Sequence, residues 1–264
     1  MTGVYDNASR MRVLDMTRGR ANFGLMHRRV FLAGLVASPL AAHAQSTPVP
    51  AAPLIYYAGQ PGRLTSDRDR LGGNPFASAL CEVLPDLPMT LATFGSRMAL
   101  ANSLHSRGWQ NIQMPRRLPD PRLKLGAEAQ SRKALVLINA DYSRSDAYSL
   151  PGARFDAQRV PRALEQAGFE TRLVLDASAE AAREAMADFA ERTRASDLSL
   201  VYVGGHGLQR KRTVYWMMGD YPERDPKWLG AHAISLDEIS ASGCARAANL
   251  VLYASCRDDP FLKS

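Results

Sequence analysis

Cysteine is scarce in this chain of 264 residues. The three thiols, Cys81, Cys244 and Cys256, are an odd number and none lies close to another in the sequence. This pattern argues against a disulfide framework and against a zinc knuckle. At least one thiol is therefore unpaired within the monomer. Cys81 falls in a predicted helix, where we expect it to pack in the core.

The sequence also lacks a dense basic cluster, although its formal net charge is +7. The longest concentration of positive charge is the short segment Arg210–Arg212, and the other basic residues are scattered. A charge excess of this kind specifies no partner. We therefore interpret it as a solvated basic surface and predict no nucleic-acid partner. Nucleic-acid binding, the competing interpretation, would require strongly salt-dependent association.

An apolar run near the start is too short to cross a membrane. It continues from Val30 to Ala42, follows Arg28 and Arg29, and ends in the small-residue pattern Ala42-His43-Ala44. A bilayer requires about 20 such residues, whereas a secretory signal has these three parts. We predict a signal peptide over 26–44, through a twin-arginine-like or general secretory route, with no membrane insertion after cleavage. Residues 1–25 are interpreted as an over-extended start. The alternative is a buried N-terminal helix at 29–42.

The remaining chain alternates between apolar strands and amphipathic helices. Strands are predicted at 54–58, 134–138, 171–175, 198–203 and 249–253, and helices at 74–84, 90–106, 153–167 and 178–194. Asn74 followed by Pro75 is typical of a helix start. Alternation after residue 131 predicts an α/β fold, with a mostly parallel sheet covered by helices.

Two reactive side chains directly follow predicted strands. The strand at 198–203 runs into Gly204-Gly205-His206-Gly207, and the strand at 249–253 into Ala254-Ser255-Cys256. Ligands of open α/β sheets bind beyond the carboxyl ends of the strands. If the two strands are neighbours, His206 and Cys256 share one edge of the sheet. An imidazole beside a thiol favours the thiolate, which attacks carbonyl groups.

These segments resemble the two catalytic motifs of caspase-like and metacaspase-like cysteine peptidases. Val201–Gly207 is similar to the family's histidine motif, and Leu252–Phe261 to its bacterial cysteine motif. Caspases place the histidine about 50 residues before the cysteine, and Cys256 follows His206 by 50. The resemblance covers most of 131–264 and implies a three-layer fold around a six-stranded, mostly parallel sheet.

The resemblance also implies a function. The chain would be an endopeptidase acting on polypeptides through an acyl-thioester, with His206 as base, Cys256 as nucleophile, and the backbone N–H groups of Gly207 and Cys256 as oxyanion hole. We predict no cofactor and no metal. Calcium dependence, the alternative, would rest on the adjacent Asp258 and Asp259, a weak signal for a site that needs about six to eight oxygen ligands. The competing interpretation is a catalytically idle caspase-like module that binds peptides or proteins.

Residues 45–130 resemble the family's small half followed by a linker. Tyr56–Gly62 is similar to its strand and turn, and Asn74–Leu80 to the start of its helix. That half normally follows the large half, which here occupies 131–264. We therefore predict a circular permutation in which both halves form one domain. The alternative is a truncated tandem.

Three positions bear on substrate specificity through the resemblance. Basic-specific relatives carry an acidic residue two positions before the cysteine and often a serine two positions before the histidine, where this chain has Ala254 and Gly204. Asp141 is one remaining acidic candidate for contact with substrate. Capping the turn after its strand is the alternative role for Asp141.

Overall fold

The structure is a computed structural model that describes residues 49–223 and 225–258. All of them belong to the unit Ser46–Ser264. The predictions for residues 1–25 and 26–44 lie outside the described residues. Within the described part of the chain, none of the helices combines the length and apolarity needed to cross a bilayer.

The described chain contains ten strands and six α-helices. The strands are β1 (Pro53–Tyr57), β2 (Met89–Thr90), β3 (Lys124–Leu125), β4 (Arg132–Ile138), β5 (Glu170–Leu175), β6 (Leu198–Gly204), β7 (Gly207–Arg210), β8 (Thr213–Met217), β9 (Ala233–Ser235) and β10 (Ala248–Tyr253). The helices are α1 (Pro75–Val83), α2 (Leu91–His105), α3 (Pro151–Gln166), α4 (Ala179–Thr193), α5 (Leu229–His232) and α6 (Leu236–Ala241). Short 3₁₀ turns occupy Leu84–Asp86 and Pro226–Trp228.

The central sheet has five parallel strands in the order β1-β10-β6-β4-β5. The α/β class is confirmed, whereas the predicted count of six strands is wrong for the described residues. The sixth position is marked only by an antiparallel bridge between Tyr57 and Gln113. Tyr57 and Gln113 exchange two backbone hydrogen bonds, at 3.0 and 2.9 Å. The next hydrogen-bonded pair of an antiparallel ladder would need the N–H of residue 115, which is a proline and has none to donate.

Each face of the sheet is covered by a separate apolar layer. Alternate residues of β6 point to opposite faces, as strand geometry requires: Leu200 and Tyr202 join the core beneath α1, α2 and α3, and Val201 and Val203 join the core beneath α4 and α6. Burial on both faces explains why β4, β6 and β10 are continuous apolar runs. The helices therefore lie on both faces, as predicted.

The N-terminal strand β1 completes one side of the sheet. It pairs in parallel with β10, with Tyr57 opposite Tyr253. The next helix, α1, begins as the sequence indicates, because the side chain of Asn74 accepts a hydrogen bond from the N–H of Phe76 at 2.8 Å and Pro75 occupies its first turn. Residues 58–74, between β1 and α1, pass the carboxyl end of β10.

Candidate active site

Strands β6 and β10 bring His206 and Cys256 to one cavity. The two strands pair in parallel up to Val203 and Tyr253, and the N–H of Ala254 donates to the carbonyl of Val203 at 2.8 Å. Both reactive residues follow within three positions and line a cavity of about 220 Å³. The prediction that their strands are neighbours is confirmed.

The imidazole of His206 is oriented by aromatic rings and a carbonyl. Its ring meets Tyr142 and Tyr148 edge-on, with centroids 4.5 and 5.4 Å apart. Its Nε2 lies 2.9 Å from the carbonyl oxygen of Tyr148. A carbonyl only accepts hydrogen bonds, so Nε2 carries the proton, and in the neutral ring Nδ1 is the atom that accepts one.

The backbone at His206 is fixed by its neighbours. Its N–H donates to the Tyr142 hydroxyl at 2.8 Å, and its carbonyl accepts from the N–H of Met217 in β8 at 2.9 Å. The preceding Gly205 has φ +129°, and a side chain there would meet the carbonyl oxygen of Asn139 at 2.7 Å. Only glycine fits this turn, which supports the sequence argument that the glycines allow a sharp bend.

The thiol of Cys256 is half-buried and contacts a distant loop. Its Sγ accepts from the N–H of Thr65 at 3.2 Å and lies 3.4 Å from the Thr65 hydroxyl. Burial is the largest influence and raises the pKa of Cys256, against these two hydrogen bonds, which lower it. Burial thus opposes the thiolate that a neighbouring imidazole favours, because desolvation disfavours the charged form.

The proposed oxyanion donors lie in the same cavity. Gly207 and Cys256 both line it, and a side chain on Gly207 would meet the Tyr253 hydroxyl at 2.1 Å and the Cys256 carbonyl at 2.9 Å. This close approach explains why position 207 is glycine. The role of the two N–H groups stays a prediction.

The three specificity candidates separate into two groups. Gly204 and Ala254 line the cavity. Asp141 is not among its lining residues; its carboxylate accepts from the N–H of Ser143 at 2.9 Å, and this bond lowers its pKa. The geometry of Asp141 is thus that of a turn cap, the alternative role given above.

Sequence reasoning missed the side of the cavity formed by the loop before α1. Thr65 and Asp67 line it together with Asn74. The amide of Asn74 donates to the carbonyls of Ser66 and Ala254 at 2.8 and 3.2 Å, so one side chain joins the loop to the residue two positions before Cys256. A capping asparagine was recognisable in the sequence, but its second partner comes from 180 residues away.

Carboxylates dominate the charge of the cavity. Its described lining includes no Lys or Arg and five acidic residues: Asp67, Asp146, Asp156, Glu223 and Asp258. Asp156 is the most buried of them, at 2% exposure. Burial raises the pKa of Asp156 to about 7, although Arg159 pairs with it at 2.8 Å. The cavity therefore favours positively charged ligands over negative ones.

The described residues contain no group of three or more His, Cys, Asp or Glu side chains arranged to hold a metal ion. Two carboxylates of the cavity, Asp67 and Asp156, have protein partners. Asp67 accepts from the N–H groups of Gly152 and Ala153 in the first turn of α3, at 2.9 and 3.0 Å. Such an acidic residue stabilises the positive end of a helix.

Comparison with known proteins adds one finding. The sequence model of a protein family described as the caspase domain matches residues 131–263, which include β4 to β10 and both reactive residues. No curated protein sequence matches the chain.

Proposed function

Because the chain belongs to the caspase-domain family, whose fold is that of a cysteine peptidase, we propose that it is an endopeptidase with a His206–Cys256 dyad. The observation that carries this proposal is the delivery of both side chains to one cavity by adjacent parallel strands. The carbonyl of Tyr148 supports it further, since it fixes the proton on Nε2 of His206.

The first half of the reaction forms an acyl-enzyme. His206 Nδ1 accepts the Sγ–H proton, and the sulfur attacks the peptide carbonyl carbon. The N–H groups of Gly207 and Cys256 would donate to the oxygen that becomes negative. The C–N bond then breaks, the His206 proton passes to the leaving amine, and an acyl-thioester on Cys256 remains. Because burial raises the pKa of the thiol, proton removal by His206 has to accompany the attack.

The second half releases the other product. His206 accepts a proton from a water molecule, and the resulting hydroxide attacks the thioester carbonyl. The S–C bond breaks, the peptide leaves as a carboxylic acid, and Sγ regains its proton from His206. Water is the only co-reactant, and no cofactor enters either half.

The acidic lining supports a preference for a basic residue before the cleaved bond. The hydroxyl of Tyr202, also at the cavity, is buried without a hydrogen-bond partner among the described residues. A lysine or arginine side chain would bring donors for this oxygen and positive charge toward Asp156 and the other carboxylates. These carboxylates would supply the negative charge that the family's acidic specificity position, occupied by Ala254 in this chain, lacks.

The pairing of β1 with β10 supports the proposed circular permutation. Residues 53–57 form the strand next to the one that carries Cys256, which is where the small half of the family would add its strand. The chain is further proposed to be exported, with residues 26–44 as the signal. Replacing Arg28 and Arg29 by lysine should retain the full-length chain in the cytoplasm if the twin-arginine route is used, and leave its location unchanged if it is not.

A peptide-library cleavage profile of the full-length chain tests the function. We expect cleavage after Lys or Arg, lost in Cys256→Ala and retained in Cys244→Ala, the matched control. Cleavage by neither wild type nor control, with peptide binding intact, would identify an idle binding module and contradict the proposal. Cleavage after acidic residues would contradict only the specificity.

A further inference from the structure

The nucleophile has a neighbour that the family motifs do not contain. The N–H of Thr65 donates to Cys256 Sγ at 3.2 Å, and the Thr65 Oγ1 lies 3.4 Å from the same sulfur. Thr65 precedes Cys256 by 191 residues and lies outside 131–263, the range matched by the family. Two potential donors of one residue therefore converge on the reacting atom, and the S–H itself donates to the carbonyl oxygen of Thr65 at 3.8 Å.

The Thr65 hydroxyl has two possible acceptors and one proton. It lies 3.2 Å from the carbonyl oxygen of Ala254 and 3.4 Å from Sγ. While the sulfur is protonated, the hydroxyl can donate to Ala254 and accept from the thiol. Once the sulfur is negative, rotation about the C–O bond turns the same proton toward it. Hydrogen bonds to a charged acceptor are about twice as strong as neutral ones, so ionisation favours this second orientation.

The surrounding contacts hold Thr65 in place. On one side, the backbones of Arg63 and Arg257 are linked by an N–H···O bond of 3.2 Å. On the other, the N–H of Ser66 donates to the Gln110 side chain at 3.0 Å, and the Ser66 carbonyl accepts from Asn74 at 2.8 Å. Bonds on both flanks mean that the donors are oriented before the sulfur becomes charged, as electrostatic stabilisation requires.

The acidic groups around the thiol do not supply this stabilisation. The nearby charge of Asp258 opposes ionisation of Cys256, and the buried phenols Tyr142 and Tyr253 interact with it electrostatically. His206, in the same cavity, acts by removing the proton. The hydrogen bonds from Thr65 are the largest influence that lowers the pKa of Cys256.

We propose that Thr65 is a third catalytic residue, whose backbone N–H and hydroxyl donate hydrogen bonds to Cys256 Sγ and stabilise its negative form. This inference rests on the proposed function for its catalytic meaning. Its physical content, stabilisation of the thiolate, applies whether or not peptides are cleaved.

The pH dependence of Cys256 alkylation by iodoacetamide tests the proposal. In this reaction the thiolate forms an S–C bond and iodide leaves, so the rate follows the thiolate fraction. Alkylation is read by mass spectrometry on the peptide that contains Cys256, which separates it from Cys81 and Cys244. For Thr65→Val in the full-length chain, the midpoint should rise by about one pH unit, with about tenfold slower alkylation below it. Thr65→Ser should stay near wild type.

Two controls and one replacement variant make the result specific. Thr171→Val removes a hydroxyl from β5, at the far edge of the sheet, and should leave the midpoint unchanged. Repeating Thr65→Val in a His206→Ala background should give the same upward shift, since the imidazole no longer titrates there. Thr65→Ala, which needs no extra space, replaces Thr65→Val if the valine variant does not fold.

The outcomes separate this inference from the proposed function. An unchanged midpoint in folded Thr65→Val would overturn the role of the hydroxyl, even if peptides are cleaved. A raised midpoint without any peptide cleavage would retain thiolate stabilisation by Thr65 and contradict the peptidase. A shift equal in Thr65→Val and Thr65→Ser would show that the hydroxyl is not involved, and would also overturn the proposal.

Discussion

The two regions on either side of residue 131 contribute to the cavity in different ways. The region matched by the family supplies His206 and Cys256 from the ends of neighbouring strands. The region before it supplies Thr65, Asp67 and Asn74 from the segment between β1 and α1. In the first, the reactive groups follow recognisable motifs. In the second, ordinary polar residues acquire a role through contacts with partners far along the chain.

One site thus depends on two regions, of which only the later one carries motifs that can be recognised in the sequence. Asp67 accepts from two N–H groups of α3, whose own N-cap Leu150 provides no side-chain bond. Helix α3, in the later region, thus depends on the earlier region for its cap. Strand β1, in the earlier region, depends on the later region because it pairs with β10. The cavity should accordingly fail when either region is altered, but in distinguishable ways.

The largest expected effect comes from the reactive pair. Replacing Cys256 or His206 by alanine should reduce kcat/KM for a basic peptide by about a thousandfold or more, because nucleophile and base act as a unit. Thermal unfolding of the variants should stay close to wild type. Activity within tenfold of wild type in either variant would contradict the dyad.

Replacing Asn74 tests whether this residue is only a helix cap or also connects the two regions. Asn74→Ala removes the cap of α1 and the bonds to Ser66 and Ala254, so we expect about 2–3 kcal/mol of lost stability together with reduced activity. Thr90→Ala is the matched control, since it removes only local bonds at the start of α2, to the N–H and the hydroxyl of Thr93. It should cost about 1 kcal/mol in denaturant unfolding and leave activity unchanged. Equal effects of both variants would mean that Asn74 is only a cap.

Asp156 lies in α3 and accepts a hydrogen bond from the N–H of Asn74. We expect its carboxyl group to make a pH-dependent contribution to the stability of the fold. Its pKa is raised to about 7, so its favourable contribution is complete below pH about 4 and is lost as the pH rises through about 7. The destabilisation caused by Asp156→Asn should therefore be smaller at pH 8 than at pH 5, by on the order of 1–2 kcal/mol. Denaturant unfolding at both pH values measures this.

Asp188→Asn, which alters an exposed carboxylate paired with Arg172 at 2.8 Å, is the control for Asp156. It should show no comparable change between pH 5 and pH 8. A destabilisation by Asp156→Asn that is equal at both values, or larger at pH 8, would contradict the raised pKa.

The smallest expected effect concerns the connection between the regions. If the chain is permuted, residues 115–132 need not be cut for activity. A protease site placed at the exposed segment 119–122 should give an uncut chain whose kcat/KM lies within about twofold of the cut one, because the contacts at the cavity do not involve this segment. Activity that appears only after cutting would contradict the permutation.

The central strands, and the position of His206 and Cys256 at their ends, could be predicted from the sequence because both depend on local patterns. Apolar runs identified β4, β6 and β10, and each motif follows its strand directly. The count of six strands was wrong because it came from the family resemblance and not from a local apolar run. Among the described residues only the bridge between Tyr57 and Gln113 occupies that position.

The rest of the site could not be predicted because it depends on long-range contacts. Nothing in the composition around Thr65 indicates a contact with Cys256, and the carbonyl of Tyr148 that orients His206 belongs to the backbone, which every residue has. The effect of burial on the thiol was not predictable either: proximity to an imidazole favours ionisation, but burial acts in the opposite direction and depends on the packed structure.

The decisive experiment for the His206–Cys256 pair is labelling of the full-length chain with a peptide electrophile that carries arginine next to its reactive group. We expect rapid, stoichiometric modification of Cys256, located by mass spectrometry, that becomes slow in His206→Ala and is unaffected in Cys244→Ala. Modification that spares Cys256, or that proceeds at the same rate without the imidazole, would contradict a shared site for these two side chains.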